Sequence, residues 1–373
     1  MLSSEYATGK GLTMQQTRKR TIITGCALLL FLLGGCCWGI WDTQLARHPN
    51  QLFGQLHQHQ APTSMCWGVS TDGSTVRLSV AAPPPFVYRA ETFSTYRAHK
   101  YLVTAISCAL DTIASVDEGG TLRVWGRQQD ASTVMTIRCH VQSACALRAV
   151  AWKPGVQTYI QESAPDALLS EKYIAFGGDS GLVQMVSVPD GKVVARYMLP
   201  PLTRVTCLQW SFDGKYLAAG GYTGDDGKGL IRVWDGQTGQ EVSTYWGHAQ
   251  AVDALAWSPD NQQIASASND TTVQIWRATT GKQVFTYHGH TRRVNTLSWT
   301  ATNNAQSLIA SGSDDRTVQV WNAQTGQLSF THFHAQAVTA VIWDSGSWIA
   351  SGSRDGVIDY YWGVENPLYL PGL

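Results

Sequence analysis

A unit of about 45 residues recurs along most of this 373-residue chain, and it restricts the possible folds more than any other feature of the sequence. In its clearest copy, Gly247-His248 precedes an apolar run that ends at Trp257, a Ser-rich run that leads to Asp270 and a third run that ends at Trp276. Short runs of this kind, separated by Gly and polar residues, are typical of β-strands. Because one small sheet cannot bury both of its faces, the copies are expected to stack on one another around an axis.

The other copies keep the order of this unit and become less regular toward the N-terminus. Their third strands are predicted to end near Trp125, Val186, Trp234, Trp276, Trp321 and Tyr361. Residues 42–96 are about one further unit long, and Ser70-Thr71-Asp72-Gly73 is similar to the turn between first and second strands. The sequence therefore predicts seven sheets, a degenerate first one, a loop insertion at Lys153–Ser170 and a closing strand near residues 51–56.

The Gly-His start, the closing Trp234-Asp235 and the spacing resemble the WD-repeat (WD40) β-propellers, over about residues 50–373. The resemblance implies an all-β fold, a seven-bladed β-propeller of four-stranded antiparallel blades, expected at residues 61–373 after a linker and closing strand at 42–60. It also implies one hydrogen-bonded network per repeat, formed by the His, a Ser of the second strand, the Asp of the next turn and the closing Trp. The expected networks are His248, Ser266, Asp270 and Trp276; His290, Ser311, Asp315 and Trp321; and His334, Ser351 and Asp355, closed by Tyr361 or Trp362.

A Ser-His-Asp trio invites comparison with a hydrolase, but here it recurs in adjacent units. Recurrence is what structural bracing predicts, whereas an active site occurs once. The Cys residues outside the apolar N-terminal segment are scattered and form no CxxC pair. We therefore expect no catalytic residue, no cofactor, no metal site and no disulfide framework.

Residues 21–41 carry no charge and follow a polar, basic tail at residues 1–20 that ends in Arg18-Lys19-Arg20. A helix of this length would be about 32 Å long, enough to cross a hydrocarbon core of about 30 Å. The sequence therefore predicts a single-pass transmembrane helix, with Trp38 and Trp41 at the interface, a cytoplasmic N-terminus and extracytoplasmic repeats. Two alternatives remain open: a cleaved signal peptide, and a lipoprotein-type anchor at Cys36 of Leu33-Gly34-Gly35-Cys36.

Exposed loops remain as the elements that bind a partner. Without the tail, 27 − 4 = 23 basic residues face 27 − 1 = 26 acidic ones, and this balance does not favour nucleic acid as a partner. We predict a membrane-anchored scaffold that binds protein or peptide on one rim. The alternatives are a small-molecule-binding or hydrolytic propeller with Asp253 at the channel mouth, and a soluble cytoplasmic scaffold. The predicted rim residues are Lys100, Tyr101, Arg204, Gln250, Asn269, Arg292, Arg293, Asp314, Gln336 and Arg354.

Overall fold

The architecture, seen in a computed structural model, is all β. The structure describes residues 98–107, 112–125, 134–138, 146–154, 172–224, 226–300, 307–343, 349–355, 357–359 and 361 with their side chains, together with the backbone of the strands given below. In this part of the chain, 28 strands form seven antiparallel sheets. The predicted all-β class and the four-stranded antiparallel sheets are therefore confirmed.

The strands follow one another in chain order. The first sheet contains β1 (Ile22–Thr24), β2 (Cys37–Trp41), β3 (Val69–Ser70), β4 (Val76–Val80) and β5 (Glu91–Tyr96), and the second β6 (Val103–Cys108), β7 (Thr112–Asp117), β8 (Thr121–Gly126) and β9 (Thr133–Arg138). The third contains β10 (Leu147–Trp152), β11 (Lys172–Gly178), β12 (Leu182–Val188) and β13 (Val193–Met198), and the fourth β14 (Thr203–Trp210), β15 (Tyr216–Thr223), β16 (Gly229–Asp235) and β17 (Glu241–Tyr245). The fifth contains β18 (Val252–Trp257), β19 (Gln263–Ser268), β20 (Val273–Arg277) and β21 (Gln283–Tyr287), and the sixth β22 (Val294–Trp299), β23 (Leu308–Ser313), β24 (Thr317–Asn322) and β25 (Leu328–Phe333). The seventh contains β26 (Val338–Trp343), β27 (Trp348–Ser353) and β28 (Ile358–Trp362).

Within the second to sixth sheets the four strands pair in chain order, each antiparallel to the next. This alternation puts the loop before the first strand and the turn between the second and third strands at the same end of the sheet. We call this end the upper face. The described segments on it are 98–102, 199–202, 247–251, 289–293 and 334–337, with the turns 118–120, 179–181, 269–272 and 314–316.

A β-bulge interrupts the first strand of six sheets at the same place. One extra residue stands between the paired positions, as Asn295 does between Val294 and Thr296. The six bulge residues are Thr104, Arg148, Thr206, Asp253, Asn295 and Thr339. All six are polar, and they mark the upper end of each first strand.

A second irregularity separates the third and fourth strands, for example between Val320 and Trp321. The same shift between Leu78 and Ser79 identifies β4 and β5 as the third and fourth strands of the first sheet. The segment that begins at Ser70 therefore lies between second and third strands, because β3 pairs with β4 through Ser70 and Val76. Its prediction as the turn between first and second strands is wrong, since both turns use the same Asp-Gly chemistry.

The hydrophobic core lies between the sheets. Five apolar clusters each join two consecutive sheets, from the second and third to the sixth and seventh. Trp321 and Trp299 of the sixth sheet, for example, pack with Ile275 and Tyr287 of the fifth. Large indole rings fill these boundaries because neither sheet can cover its face alone.

The first strands β6, β10, β14, β18, β22 and β26 together line one cavity of about 70 Å³. Six innermost strands that face the same space place their sheets around a common axis. The predicted stacking is therefore present from the second sheet to the seventh. The closing strand at 51–56 and the loop insertion beyond Pro154 fall outside the described residues.

The predicted transmembrane helix at 21–41 differs from the structure wherever its backbone is described. Ile22–Thr24 and Cys37–Trp41 are paired antiparallel strands, and Cys37 and Trp38 also pair with Val80 and Ser79. Both segments contain β-branched or aromatic residues, which favour extended backbone. Among the described residues, no helix has the length and hydropathy needed to span a membrane.

Candidate functional site

The His290 network shows how the repeated polar residues are held. His290 Nδ1 lies 2.9 Å from Asp315 Oδ2, and its Nε2 lies 2.8 Å from Ser311 Oγ. Trp321 Nε1 donates to the same Ser311 hydroxyl over 3.1 Å. Because a carboxylate only accepts, Nδ1 carries the ring proton and Nε2 accepts from the hydroxyl. All four side chains meet at the seam between the fifth and sixth sheets, where a seam is the boundary between two adjacent sheets.

The His248 network repeats this arrangement with one difference. His248 Nδ1 lies 2.8 Å from Asp270 Oδ2, and Nε2 lies 2.7 Å from Ser266 Oγ. Among the described residues, however, the indole nitrogen of Trp276 has no hydrogen-bond partner. The structure therefore brings the first three residues together and leaves the Trp as a packing residue.

The carboxylates of these networks are strongly acidic. Burial alone would raise the pKa of Asp270, but hydrogen bonds from His248 and Thr272 outweigh it and lower the pKa to about 2. For Asp315 the same opposition, with His290 and Thr317 as donors, holds the pKa well below its usual range. Both carboxylates are therefore negative at neutral pH.

The third predicted network is incomplete. His334 Nε2 lies 2.7 Å from Ser351 Oγ, but Asp355 accepts hydrogen bonds from Ser353 Oγ and from Val357 N within its own turn. The prediction that Asp355 pairs with His334 is therefore wrong. In the other networks a Thr hydroxyl holds the second carboxylate oxygen, whereas Val357 stands at that position and offers none. Tyr361 lies opposite Ile349, the register that the closing Trp takes elsewhere.

A network that the sequence analysis missed lies in the second sheet. His99 Nδ1 lies 2.7 Å from Asp117 Oδ2, His99 Nε2 lies 2.7 Å from Ser115 Oγ, and Trp125 Nε1 donates to that hydroxyl over 3.2 Å. The Asp stands two residues after the Ser rather than four, which hid the pattern. The spacing from Ser115 to Thr121 equals that from Ser to Thr in the other networks, and this was the usable signal.

The bulge residues connect neighbouring sheets. The side chains of Thr104, Thr206 and Asn295 donate to the carbonyl of the first residue in the next sheet's first strand, at Leu147, Val252 and Val338. Arg148 instead binds Asp179 through two nitrogens, at 3.0 and 3.2 Å, and Glu118 of the second sheet at 3.0 Å. Polar residues occur at these positions because the extra residue of a bulge directs its side chain toward the adjacent sheet.

Asp253 also joins two sheets. Its side chain is 3% exposed and accepts from Arg293 Nε and Nη2 at 2.9 and 2.8 Å, a bidentate ion pair between the fifth and sixth sheets. The interpretation of Asp253 as a catalytic carboxylate at the channel mouth loses its basis, because both oxygens already bind this guanidinium.

The ten predicted rim residues separate into two groups. Six are exposed on the upper face: Lys100, Tyr101, Arg204, Gln250, Arg292 and Gln336. Asn269, Arg293, Asp314 and Arg354 are half-buried. Arg293 binds Asp253, and Arg354 lies 3.6 Å from Asp314, which also accepts from Asn295. Three of the half-buried residues are therefore engaged within the molecule and are poor candidates for partner contacts.

Leu202 is an exposed residue of this face that the sequence analysis missed. Its side chain is 67% exposed, and its φ of 61° places it in the left-handed region. Tyr101 is 56% exposed, and its ring lies against Gly119, where an added Cβ would come within 2.0 Å of the ring. The missed signal for Leu202 is the absence of a His in its repeat, since the rim was predicted from the residues that follow each His.

Comparison with known proteins matches the fourth to seventh sheets to one family. Residues 200–235, 239–277, 281–322 and 326–359 match the model described as WD domain, G-beta repeat. Each of the last three stretches begins near the fourth strand of one sheet and ends in the third strand of the next. The matched units therefore span the seams that hold the His networks.

Curated proteins with similar sequences carry such repeats in their names. WD repeat-containing protein 1 of Xenopus tropicalis is 26% identical over 48% of this chain and 34% of its own length. The protein of the same name in Gallus gallus is 32% identical over 27% of the chain and 16% of its own length, and human U3 small nucleolar RNA-interacting protein 2 is 39% identical over 17% and 12%. The chain thus spans at most about a third of these relatives.

The structural pattern extends beyond the matched region, since the second and third sheets carry the same bulge and the second carries a complete His network. The strand order, the recurring polar network, the family match and the relatives agree with one another: residues 200–359 of this chain are WD40 repeats.

Proposed function

We propose that this protein is a membrane-anchored WD-repeat scaffold that binds a protein or peptide on its upper face and catalyses no reaction. The proposed organisation is a seven-bladed propeller at residues 61–373, a linker with the closing strand at 42–60, a membrane segment at 21–41 and a basic tail at 1–20. Supporting the propeller are the shared cavity of six first strands and the seams between consecutive sheets.

The observation that carries the binding proposal is the distribution of exposed side chains on the upper face. The apolar side chains of Tyr101 and Leu202 are more than half exposed there, beside the exposed cations Lys100, Arg204 and Arg292. Tyr and Arg are favoured anchors at protein interfaces, and Tyr101 is held in place against Gly119. This combination suits a partner segment that carries acidic and apolar residues.

The test is affinity capture with the full chain as bait. In one variant, Tyr101→Ala and Arg292→Glu remove an anchor and a cation from the upper face. The matched control, Val194→Ala and Lys282→Glu, changes an exposed apolar residue of β13 and an exposed cation of a lower turn. We expect the upper-face variant alone to lose the captured proteins. Equal capture by both variants and the parent would disprove the assignment of this face.

The membrane anchor rests on the absence of charge in residues 21–41 and on the basic residues before it. The rival arrangement keeps this segment with the first sheet, through the pairing of Cys37 and Trp38 with Val80 and Ser79. We expect the full chain to need detergent for extraction from membranes, and Leu29→Arg with Leu32→Arg to make extraction possible with salt alone. Extraction of the unmodified chain by salt alone would support the rival arrangement. Protease accessibility of the repeats in intact cells tests their extracytoplasmic location, and mass spectrometry at Cys36 tests the lipoprotein-type anchor.

A further inference from the structure

The seam between the sixth and seventh sheets carries a substitution that the two preceding seams do not. At the seam of the fifth and sixth sheets, the Tyr287 ring stacks on Trp321, with ring centroids 4.2 Å apart, and its hydroxyl donates to Gln319 Oε1 over 2.7 Å. The seam of the fourth and fifth sheets repeats this arrangement with Tyr245, Trp276 and Gln274. A neutral Tyr-Gln pair is therefore the rule at this position.

At the next seam the pair is His332 and Asp359. His332 pairs with Val318 as Tyr287 pairs with Val273, and Asp359 pairs with Ser351 as Gln319 pairs with Ser311. The His332 ring stacks on Tyr361 with centroids 4.2 Å apart, so it takes the place of the Tyr ring. Both members of the neutral pair have thus been replaced by residues that ligate metal ions.

A third ligand lies beside them. His332 Nε2 is 2.8 Å and His334 Nδ1 is 3.4 Å from Asp359 Oδ2, and the three candidate ligand atoms lie within 4.8 Å of one another. Ligands of a tetrahedral Zn²⁺ at bond lengths of 2.0–2.1 Å are about 3.3 Å apart. Side-chain shifts of less than about 1 Å would therefore place the three atoms around one ion.

The buried nitrogen of His334 gives independent support. Its side chain is 1% exposed, and among the described residues Nδ1 has no hydrogen-bond partner, because Asp355 does not reach it. A buried polar atom without a partner is unfavourable by about 1–3 kcal/mol. Nδ1 points toward the carboxylate of Asp359, which is 35% exposed, as is His332 at 30%. The cluster is therefore open to solvent on one side and lined by a buried, unpaired donor atom on the other.

We propose that His332, His334 and Asp359 bind one divalent transition-metal ion of the zinc class at the seam of the sixth and seventh sheets. Two imidazoles and one carboxylate form a familiar set for such ions, and the exposed side leaves room for water as a further ligand. The ion would satisfy His334 Nδ1 and join β25 to β28 where the Asp-His contact of the other networks is missing. This assignment replaces the expectation of no metal site in the sequence analysis.

The test is Zn²⁺ and Co²⁺ binding by the full chain after treatment with EDTA and removal of the chelator. We expect one Zn²⁺ per chain by calorimetry, a tetrahedral Co²⁺ absorption spectrum and a higher melting temperature with added Zn²⁺. The double variant His332→Tyr with Asp359→Gln restores the pair of the neighbouring seams and so should fold. It should bind Zn²⁺ at least tenfold more weakly and show no thermal shift.

Two further variants make the result decisive. Asp359→Asn keeps the shape of the ligand and should also weaken binding at least tenfold, with folding checked by circular dichroism. His288→Tyr removes an exposed His near the equivalent position of the preceding seam and should bind Zn²⁺ as the parent does. Absence of Zn²⁺ binding by the parent, or equal binding by the parent and the double variant, would overturn the proposal.

Discussion

Replacing Asp315 with Ala should show how much one His network contributes to stability. Asp315 Oδ2 accepts hydrogen bonds from His290 Nδ1 at 2.9 Å and Thr291 N at 3.1 Å. Oδ1 accepts from Thr317 N at 2.9 Å and Thr317 Oγ1 at 2.6 Å. The Thr groups lie where water can replace the carboxylate, but the His290 side chain is 0% exposed and its Nδ1 would lose its acceptor.

The expected loss follows from that single buried donor. Leaving it unpaired should lower the free energy of unfolding by about 1–3 kcal/mol, as measured from the midpoint and slope of urea denaturation. Asp260→Ala is the matched control, since Asp260 caps an exposed lower turn through Gln262 N at 3.0 Å, and it should cost less than about 1 kcal/mol. Equal midpoints for Asp315→Ala and the parent would refute the bracing role of the network.

Three other predictions concern the pairs and the thiol described above. Arg293→Ala removes the guanidinium from the buried carboxylate of Asp253 and should lower the free energy of unfolding by about 1–3 kcal/mol, whereas Arg292→Ala should change it by less than about 0.5 kcal/mol; urea denaturation measures both, and similar losses would contradict the ion-pair argument. The pKa of Asp270 is about 2 in the folded state and about 4 when unfolded, so its contribution is present above pH 4 and is lost as the pH falls toward 2; the difference in melting temperature between the parent and Asp270→Asn should shrink over that range, and a constant difference would oppose it. Burial raises the pKa of the Cys207 thiol, so iodoacetamide should label it, by mass spectrometry, only after unfolding, and labelling of the native chain would contradict its burial.

Much of the architecture could be predicted from the chain because each repeat carries its own markers. A Trp near the end of the third strand, as at Trp276 and Trp321, fixes the spacing, and burial on both faces fixes the strands between. The register of the bulges could not be predicted, since the polar residue that marks one, such as Thr206, is an ordinary strand residue in sequence. The turn at Ser70 was assigned to the wrong strand pair for the same reason.

The polar networks were predictable only where the spacing is regular. Asp117 escaped notice because it acts from a position two residues earlier than its counterparts, while Asp355 keeps the regular position and does not meet His334. Spacing alone does not report whether a hydroxyl, such as that of Thr317, is present to orient the carboxylate. Contacts between sheets, including that of Arg148 with Glu118, depend on the packing of two units and leave no periodic trace in the sequence.

The ion pair of Asp253 and Arg293 makes one boundary unlike the rest. Elsewhere the bulge residue reaches the next sheet through a neutral hydroxyl or amide, as Thr206 and Asn295 do. The indole of Trp299 also donates to Ser307 of its own sheet, whereas Trp257 donates to the preceding sheet at Gln209. Attraction between opposite charges weakens as dissolved ions screen it, while neutral hydrogen bonds are much less affected. Sensitivity of the disc to ionic strength is therefore concentrated between its fifth and sixth sheets, where it would open first in concentrated salt.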